Sequence, residues 1–401
     1  MPQNYSGNQI SKITKSAIIL TAVVTFSFAG PLNPPAGPIT STPGPEPRIA
    51  LNATNTPGDA DSVYKITQPG SYYLTGNLSG VSGKRGIEID ASDVTIDLNG
   101  FEAIGGSGSL AGIWTGTAGL RSLTVRNGSL RSWGSSGIDF NTNVANNCTI
   151  SNIRVSECGS GGLSGGIIAG YRALVTDCAA YSNTGRGIGV GSDSTISTCM
   201  VNGNTGDGIS GTTGCTLTAC TSNGNQSAGI SVTSSSIINC TASSNGLNGI
   251  NNSSGGVTTG CAANDNDQNG INASYGTISN CTVRMNTTNG IVVDSGSLVI
   301  NNTCSSNGLS SGDGAGILAT GNDNRIEGNN CLFADRGIDI NGIGNIIIKN
   351  SCSGNTTNWT IVANNVYGPI LDRTAPASAA VNGNSAASSL GSTDPNANFT
   401  Y

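Results

Sequence analysis

The sequence predicts an all-β solenoid in which short parallel strands stack coil upon coil. Two markers support this prediction. A cysteine and a Gly-Ile pair each recur every 20 or 21 residues within 158–291. A period shared by two independent markers is typical of repeat proteins whose units stack on their neighbours. The cysteines are Cys158, Cys178, Cys199, Cys220, Cys240, Cys261 and Cys281, and the pairs begin at Gly166, Gly187, Gly208, Gly229, Gly249, Gly270 and Gly290.

Each repeat accommodates three short strands and no helix. Around Cys199, the apolar Ile196 stands three residues before and Val201 two residues after. Because alternate residues of a strand face opposite ways, Cys199 and Val201 face the interior and Met200 faces solvent. The apolar residue before the cysteine and the Gly-Ile pair give the other two strands, joined by Gly, Asn and Ser turns. We expect about twelve coils, each rising roughly 4.8 Å, the spacing of paired strands.

An asparagine recurs five residues after most of these cysteines. We expect it to occupy a tight turn, because Asn tolerates the left-handed backbone conformation. Its amide both donates and accepts, so one amide per coil can hydrogen-bond to the next along the solenoid. The positions are Asn183, Asn204, Asn225, Asn245, Asn266 and Asn286.

Three segments add a resemblance to a known family. The asparagine ladder, the short strands and VTIDLNGF (94–101) resemble right-handed parallel β-helix proteins of the pectate-lyase-like superfamily. The segments ITQPGSYYLTGNL (66–78) and GSTDPNANFTY (391–401) are similar to a group of secreted bacterial β-helix proteins without an established activity. The resemblance implies a right-handed parallel β-helix, a single-stranded solenoid, and it specifies no chemistry.

The two ends of the chain differ in composition from the repeats. Residues 1–29 carry two lysines, an apolar run and a small-x-small site, and we expect a secretory signal peptide that directs the protein out of the cell. Residues 30–47 are rich in Pro and Gly and predict an extended linker. We assign 48–371 to the β-helix and expect 372–401 to form a partial cap, since exposed solenoid ends invite edge pairing. Without a second apolar run, membrane embedding is not expected.

The composition excludes several classes of function. Only 10% of residues are charged, the formal net charge is −6, and the Lys and Arg residues form no cluster. Phosphate binding needs concentrated basic residues, so nucleic acid is not an expected partner. The chain has no histidine, which excludes a Ser-His-Asp triad and a His general base. A surface of Asn, Ser, Thr and Gly suits uncharged glycans or an inert role.

The twelve cysteines of an exported chain first suggest disulfides. Residues stacked one coil apart have parallel side-chain directions, whereas a disulfide needs converging ones. We therefore expect buried free thiols that pack as small hydrophobes. Cys148 and Cys215 stand off the regular spacing and are the two we expect to pair or to be exposed.

The sharpest candidate site lies in the first coils. The residues after the Ile of the first three pairs are Glu88, Trp114 and Asp139. If they stack, two carboxylates roughly 9 to 10 Å apart flank an indole, close to the spacing of about 6.5 to 9.5 Å in inverting glycosidases. Glu88 and Asp139 are thus catalytic candidates, and Trp114 is a candidate for stacking on a sugar. The alternative is a solvated strand face without chemistry.

Two further aromatic residues of this half, Trp133 and Tyr171, are glycan-binding candidates, with core or loop packing as the alternative. The acidic turn NDND (264–267) is a candidate for calcium. Asp265 and Asp267 supply two carboxylates there, whereas calcium prefers more. No other metal site is expected. One coil apart, Arg186 and Asp207 are expected to form an exposed ion pair.

We expect an exported, non-catalytic surface or adhesion-type protein whose polar faces contact a polysaccharide or a cell-surface glycan. One alternative is a carbohydrate-active enzyme, a polysaccharide lyase or glycoside hydrolase, with its groove on the first coils. The other alternative is a structural element of the cell envelope. The fold does not decide among them, since β-helices host many activities.

Overall fold

The computed structural model describes residues 48–140, 145–160, 164–308, 312–372, 374 and 392–401. They contain strands and turns but no helix. The predicted signal peptide (1–29) and linker (30–47) lie outside the described residues. Every pairing between named strands is parallel, and each strand pairs with its equivalent in the next coil. The all-β parallel solenoid predicted from the sequence is confirmed.

Each coil carries strands on three faces. The first face is a sheet of 14 strands. Its strands are Ser62–Ile66, Arg85–Ile89, Ile113–Trp114, Ile138–Asp139, Gly165–Ile168, Arg186–Val190, Ile209–Thr213, Ile230–Thr233, Ile250–Ser253, Ile271–Ala273, Ile291–Val293, Ala315–Ala319, Arg336–Ile340 and Thr357–Ile361.

The second and third faces belong to one continuous sheet of 28 strands. The second face has Ile49–Ala50, Gly70–Tyr73, Val94–Asp97, Leu174–Thr176, Thr195–Ser197, Thr216–Thr218, Ser236–Ile238, Val257–Thr259, Thr277–Ser279, Leu298–Ile300, Arg325–Glu327, Ile346–Ile348 and Val366–Tyr367. The third face has Leu78–Ser79, Glu102–Ile104, Ala179–Tyr181, Met200–Asn202, Thr221–Asn223, Thr241–Ser243, Ala262–Asn264, Thr282–Arg284, Thr303–Ser305, Asn330–Leu332, Ser351–Ser353, Asn398–Thr400 and Ile370–Asp372. Two long strands, Thr124–Arg131 and Thr149–Ser156, bend across both faces, and a separate pair is formed by Leu120–Arg121 and Ala145–Asn146.

The solenoid has more coils than the sequence predicted. The first face counts 14 strands, one per coil, against about twelve expected. The two additional coils lack a Gly-Ile pair, because Tyr64 pairs with Ile87 and Trp359 pairs with Ile338 at the isoleucine position. An aromatic residue thus replaces the marker in the first and last of the 14 strands of this face.

Every regular coil turns at three corners, and at each corner one residue adopts a positive φ. In one coil these residues are Asp193, Thr198 and Gly203. The residue after each corner points inward and is buried; these are Ser194, Cys199 and Asn204. We expected the ladder asparagines to adopt the left-handed conformation themselves. Each of them instead follows the residue that adopts it.

The asparagine ladder forms as predicted along the third corner. The amide of Asn204 donates to Oδ1 of Asn225 at 2.9 Å, and the backbone N–H of Asn204 donates to the same oxygen at 3.1 Å. The same pattern links each rung from Asn183 to Asn307. The glycine of the Gly-Ile pair makes room for it, because a Cβ on Gly187 would lie 2.2 Å from Val201 Cγ1 and 2.8 Å from Asn204 Nδ2.

The regularly spaced cysteines do not all occupy the same structural position. Six of them follow the second corner, namely Cys178, Cys199, Cys220, Cys240, Cys261 and Cys281. Cys158 lies at the third corner, where its backbone N–H donates to Asn183 Oδ1 at 3.0 Å. The residue that stacks on Cys178 is Ile153, so the 20-residue step from Cys158 is accidental. Beyond Cys281 the second corner is taken over by buried asparagines, namely Asn302, Asn329, Asn350 and Asn398.

All twelve cysteines are free and buried. The prediction of buried thiols is confirmed, and the pairing or exposure expected for Cys148 and Cys215 is wrong. Both of these residues follow the first corner and point inward, where Cys215 stacks between Ser194 and Ser235 and Cys148 stacks between Leu123 and Ala173. The thiol at this corner is therefore an inward packing residue.

The last residues of the chain lie inside the sheet and not across its open end. Strand Asn398–Thr400 pairs with Ser351–Ser353 on one side and with Ile370–Asp372 on the other. Asn398 Oδ1 accepts from the backbone N–H of Asn350 at 2.9 Å and thus continues the second-corner asparagines. Residues 375–391, which we expected to contribute to a cap, lie outside the described residues.

Candidate functional site

The solvent-facing residues of the first face form a single column along the solenoid, which we call the outer column. Its members pair in register as the sequence predicted, with Glu88 beside Trp114 and Trp114 beside Asp139. In chain order the column reads Lys65, Glu88, Trp114, Asp139, Ile168, Gly189, Ser210, Ser231, Asn251, Asn272, Val292, Leu318, Asp339 and Thr360.

The beginning of the outer column carries a charge cluster. Lys65 Nζ lies 2.9 Å from Asp59, 2.9 Å from Glu88 and 3.0 Å from Asp90. These contacts, the one with Glu88 foremost, raise the pKa of Lys65 above its usual value. Arg85 pairs with Asp61 at 2.7 Å and approaches Glu88 at 3.7 Å. The carboxylates of the first coils are therefore neutralised by the cations of neighbouring strands.

Glu88 is not the solvent-facing carboxylate that the sequence suggested. Only 6% of the residue is exposed, and its Oε2 has no hydrogen-bond partner among the described residues. A general acid or base must reach the reacting atoms of a substrate. Lys65 and Arg85 lie between Glu88 and the surface, so a substrate would have to displace at least one of them.

The three aromatic candidates lie in different surroundings. The guanidinium of Arg85 lies 3.6 Å from the ring centroid of Trp114, a cation–π contact that covers one face of the indole. Trp133 is 1% exposed and donates its indole N–H to the carbonyl of Ala103 at 3.0 Å, so it belongs to the core and cannot stack on a sugar. Tyr171 is half-buried beyond the end of its first-face strand and pairs with Asn146 through the backbone.

Asp139 is half-buried. Its strand pairs directly with that of Trp114. The structure thus brings Glu88, Trp114 and Asp139 into one column, but it buries Glu88 and leaves Trp114 and Asp139 half-buried.

The described residues offer one group of three carboxylates close enough to share a cation: Asp59, Asp61 and Glu88 lie within 4.8 Å of one another. Lys65 already supplies a positive charge to two of them. At the predicted calcium turn, Asp265 and Asp267 are exposed on either side of the buried Asn266. In the described part of the chain they belong to no such three-residue group.

The central part of the first face carries a set of asparagines that sequence reasoning did not single out. Asn272 donates to Asn251 Oδ1 at 3.1 Å in the outer column. Beside it, Asn269 donates to Asn248 Oδ1 at 3.0 Å and Asn289 donates to Asn269 Oδ1 at 2.9 Å. We call these five residues the amide face. All five are half-buried, so the amides are ordered by each other and still reach solvent.

Comparison with known proteins identifies the family. A family model described as the right-handed beta helix region matches residues 85–245 and 210–333. Among curated proteins, none matches the sequence significantly. In the described part of the chain, no helix is long and apolar enough to cross a membrane.

Several solved structures superpose on part of this chain. The A-module of mannuronan C-5 epimerase AlgE4 from Azotobacter vinelandii superposes with a TM-score of 0.53 at 17% identity, covering 75% of this chain and 91% of that one. The Siphovirus 9NA tailspike receptor binding domain has a TM-score of 0.49 at 11% identity over 79% and 74% of the two chains. PfbA, a surface adhesin of Streptococcus pneumoniae, has 0.39 at 12% identity over 73% and 82%. At these identities the likeness is one of fold alone.

Proposed function

The chain belongs to the right-handed beta helix family, and on that premise we propose that it is an exported, non-catalytic protein that binds glycans along its first face. The ligand lies over the amide face and is held by hydrogen bonds from uncharged side chains. Export rests on the predicted signal peptide.

The amide face is the observation that carries this proposal. Asn272 donates one hydrogen bond to Asn251 at 3.1 Å, whereas Asn269 donates to Asn248 and accepts from Asn289 and from Thr288. An amide has two N–H donors, so each of the five retains at least one N–H that no other described residue accepts. Because the mutual bonds fix the side chains, little conformational freedom is lost when a glycan binds.

The charge cluster supports a non-catalytic role. A glycosidase needs two carboxyl groups that reach the scissile bond. Glu88 is held by Lys65 at 2.9 Å and is 6% exposed, which suits a residue that fixes the first coils to one another. The Arg85 guanidinium occupies the face of Trp114 on which a sugar would stack.

A carbohydrate-active enzyme is the second candidate, and the register favours it. Glu88 and Asp139 flank Trp114 in consecutive coils, a separation of roughly 9 to 10 Å by strand spacing. On this alternative, a polysaccharide is cleaved at the first coils, and Glu88→Gln and Asp139→Asn each abolish the products. On our proposal no products form, and both variants bind glycans as the unmodified protein does.

A glycan screen of the protein from residue 30 onward tests the proposed function. We expect hits among uncharged glycans, and we expect Asn251→Ala/Asn272→Ala to lose about tenfold in affinity, since each net hydrogen bond contributes roughly 0.5 to 1.5 kcal/mol. The control is Asn202→Ala/Asn223→Ala, a pair of neighbouring asparagines facing outward on the third face. Equal losses in both double variants, or no binding to any glycan, would contradict the proposal.

A further inference from the structure

A cavity opens on the first face where the amide face ends. Beside the outer column runs a second column, the side column, formed by the residue directly before each Gly-Ile pair. The side column carries Asn248 of the amide face and continues toward the N-terminus through Ala228 and Asp207 to Arg186. The outer column continues in the same direction through Ser231 and Ser210 to Gly189. Between the two columns lies a cavity of about 150 Å³, several times the ~30 Å³ that one water occupies in the liquid. It is lined by Arg186, Val190, Asp207, Ser210, Gly211, Thr212 and Ser231.

Two features of the backbone lie beside this cavity. Gly189 stands in the outer column, where the preceding coil has Ile168, and a Cβ there would come within 3.1 Å of Ile168 Cδ1 and 3.5 Å of Ser210 Oγ. In the next coil, the pairing shifts between Ser210 and Thr213, which marks a β-bulge. Bulges redirect side chains and are frequent beside functional sites. The missing side chain and the bulge therefore coincide in neighbouring coils.

The charged groups of the cavity do not neutralise each other. The ion pair predicted between Arg186 and Asp207 is absent, since among the described residues no carboxylate lies within 4.0 Å of the Arg186 guanidinium. Asp207 Oδ1 instead accepts from Ser227 Oγ at 2.5 Å and from the backbone N–H of Ala228 at 3.2 Å. Its Oδ2 has no protein partner within the described chain. The cavity thus has free guanidinium donors and a free carboxylate acceptor.

Ser210 provides a third unused polar group. The residue is 7% exposed, and its Oγ has no hydrogen-bond partner in the described part of the protein. Buried hydroxyls are nearly always paired. A Cβ on Gly189 would come within 3.5 Å of this Oγ and within 3.6 Å of Arg186 Cδ, so the hydroxyl lies close to the Arg186 side chain. Ser210 and Arg186 both line the cavity.

We propose that this cavity binds one uncharged sugar ring of a glycan that continues over the amide face. The hydroxyls of the ring accept from Arg186 and donate to Asp207 Oδ2, and one of them pairs with Ser210 Oγ. An uncharged ring is favoured over a sugar acid because Arg186 and Asp207 together carry no net charge, and a ligand carboxylate at Arg186 would meet the carboxylate of Asp207. The inference rests on the proposed function for the continuation of the glycan, but not for the ring itself.

Crowding the wall of the cavity tests the inference. Gly189→Val adds a side chain against Ser210 and Arg186, which line the cavity, and the outer column accepts valine elsewhere, as Val292 shows. The control is Thr360→Val, at the same column position in the last coil. The probes are methyl glycosides of glucose, galactose and mannose, together with glucuronate and galacturonate, followed by ligand-detected NMR at millimolar concentration. Arg186→Gln serves as a second variant, with Arg284→Gln, an exposed arginine of the third face, as its control.

We expect one or more uncharged glycosides to bind, Gly189→Val and Arg186→Gln to lose binding at least tenfold, and both controls to retain it. Binding of the uronates alone would overturn the choice of an uncharged ring. Unchanged binding in Gly189→Val would overturn the cavity as its site. If the single sugars bind as expected and no longer glycan binds, the proposed function is contradicted and the cavity assignment stands. If longer glycans bind and single sugars do not, the cavity assignment is contradicted and the proposed function stands.

Discussion

Buried asparagines hold one corner of successive coils in register. Asn266 Oδ1 accepts from the backbone N–H and from Nδ2 of Asn245, both at 3.0 Å. Its own backbone N–H and Nδ2 donate to Asn286 Oδ1 at 3.1 and 2.8 Å. Nearly every polar atom of the residue is therefore paired in a place that water does not reach. Networks of this kind specify one arrangement because a partly paired alternative is costly.

Replacing a rung of the ladder is expected to destabilise the solenoid far more than replacing a surface amide. Asn266→Ala leaves the backbone N–H of Asn245 buried and unpaired, and we expect the free energy of unfolding to fall by roughly 2 to 4 kcal/mol. Asn272→Ala, on the amide face, is expected to cost less than about 1 kcal/mol. Urea unfolding measures both. Equal costs for the two variants would mean that the ladder adds nothing beyond ordinary amide contacts.

The thiols differ from the amides in that their burial gives them a pH dependence. Burial raises the pKa of Cys148 to about 11 and that of Cys158 to about 12, above the usual value of a thiol. In the unfolded chain these two thiols ionise near pH ~9, whereas in the folded chain they stay protonated up to a higher pH. Their contribution to stability is therefore fully present below pH ~9 and is lost as the pH rises toward ~12.

We expect the free energy of unfolding to fall between pH ~9 and ~12, with a slope reduced in Cys158→Ala, since one unit of pKa corresponds to about 1.4 kcal/mol. Reagents for thiols are expected to leave the folded protein unmodified at pH 8 and to find all twelve thiols after unfolding without reductant. A count below about six, or the same pH slope in the variant, would contradict free, buried cysteines.

At the scale of single elements, the C-terminal strand takes the third-face position of the last coil. Asn398–Thr400 lies between Ser351–Ser353 and Ile370–Asp372. Thr400 Oγ1 accepts from the indole N–H of Trp359 at 2.8 Å, which ties the strand to the last coil of the first face. The strand thus hydrogen-bonds to a neighbour on each side.

Removing residues 392–401 is expected to loosen the last coils and leave the others folded, because each coil of a solenoid contacts only its neighbours. Hydrogen exchange checks this. Protection should fall in 351–372 and remain in 195–305. Asn398→Ala, which keeps the strand but removes its rung, should show a smaller loss in the same region. Uniform loss of protection throughout the chain would contradict a local role for the strand.

The sequence was informative wherever a residue repeats. Gly-Ile pairs and asparagines gave the coils, the strands and the register of Glu88, Trp114 and Asp139. It misled where one residue type occurs at several corners. Cys158 stands 20 residues before Cys178 and so fits the spacing of the second-corner cysteines, but it lies at the third corner. The amide face and the cavity could not be read in advance, because they depend on which side chains pair across coils and on a single glycine in one column.

At the scale of the whole molecule, function is confined to side chains that face outward, because the inward positions are committed to packing. The outer column carries a carboxylate at Glu88, a glycine at Gly189, amides at Asn251 and Asn272, and a second buried carboxylate at Asp339. The carboxylates of the first coils are neutralised by their own neighbours, whereas the amides retain N–H donors for a ligand. Within the column, the amides are therefore the surface suited to glycans.

The most direct test of this account measures the binding of one glycan and then asks whether the protein has changed that glycan chemically. A hit from the screen is incubated with the protein at a concentration that saturates it, and the glycan is then recovered and analysed by mass spectrometry and by NMR of its anomeric protons. We predict saturable binding that is lost in Asn251→Ala/Asn272→Ala, with the recovered glycan unchanged in length, mass and stereochemistry. Shortened chains, unsaturated ends or inverted sugar centres that disappear in Glu88→Gln would contradict it.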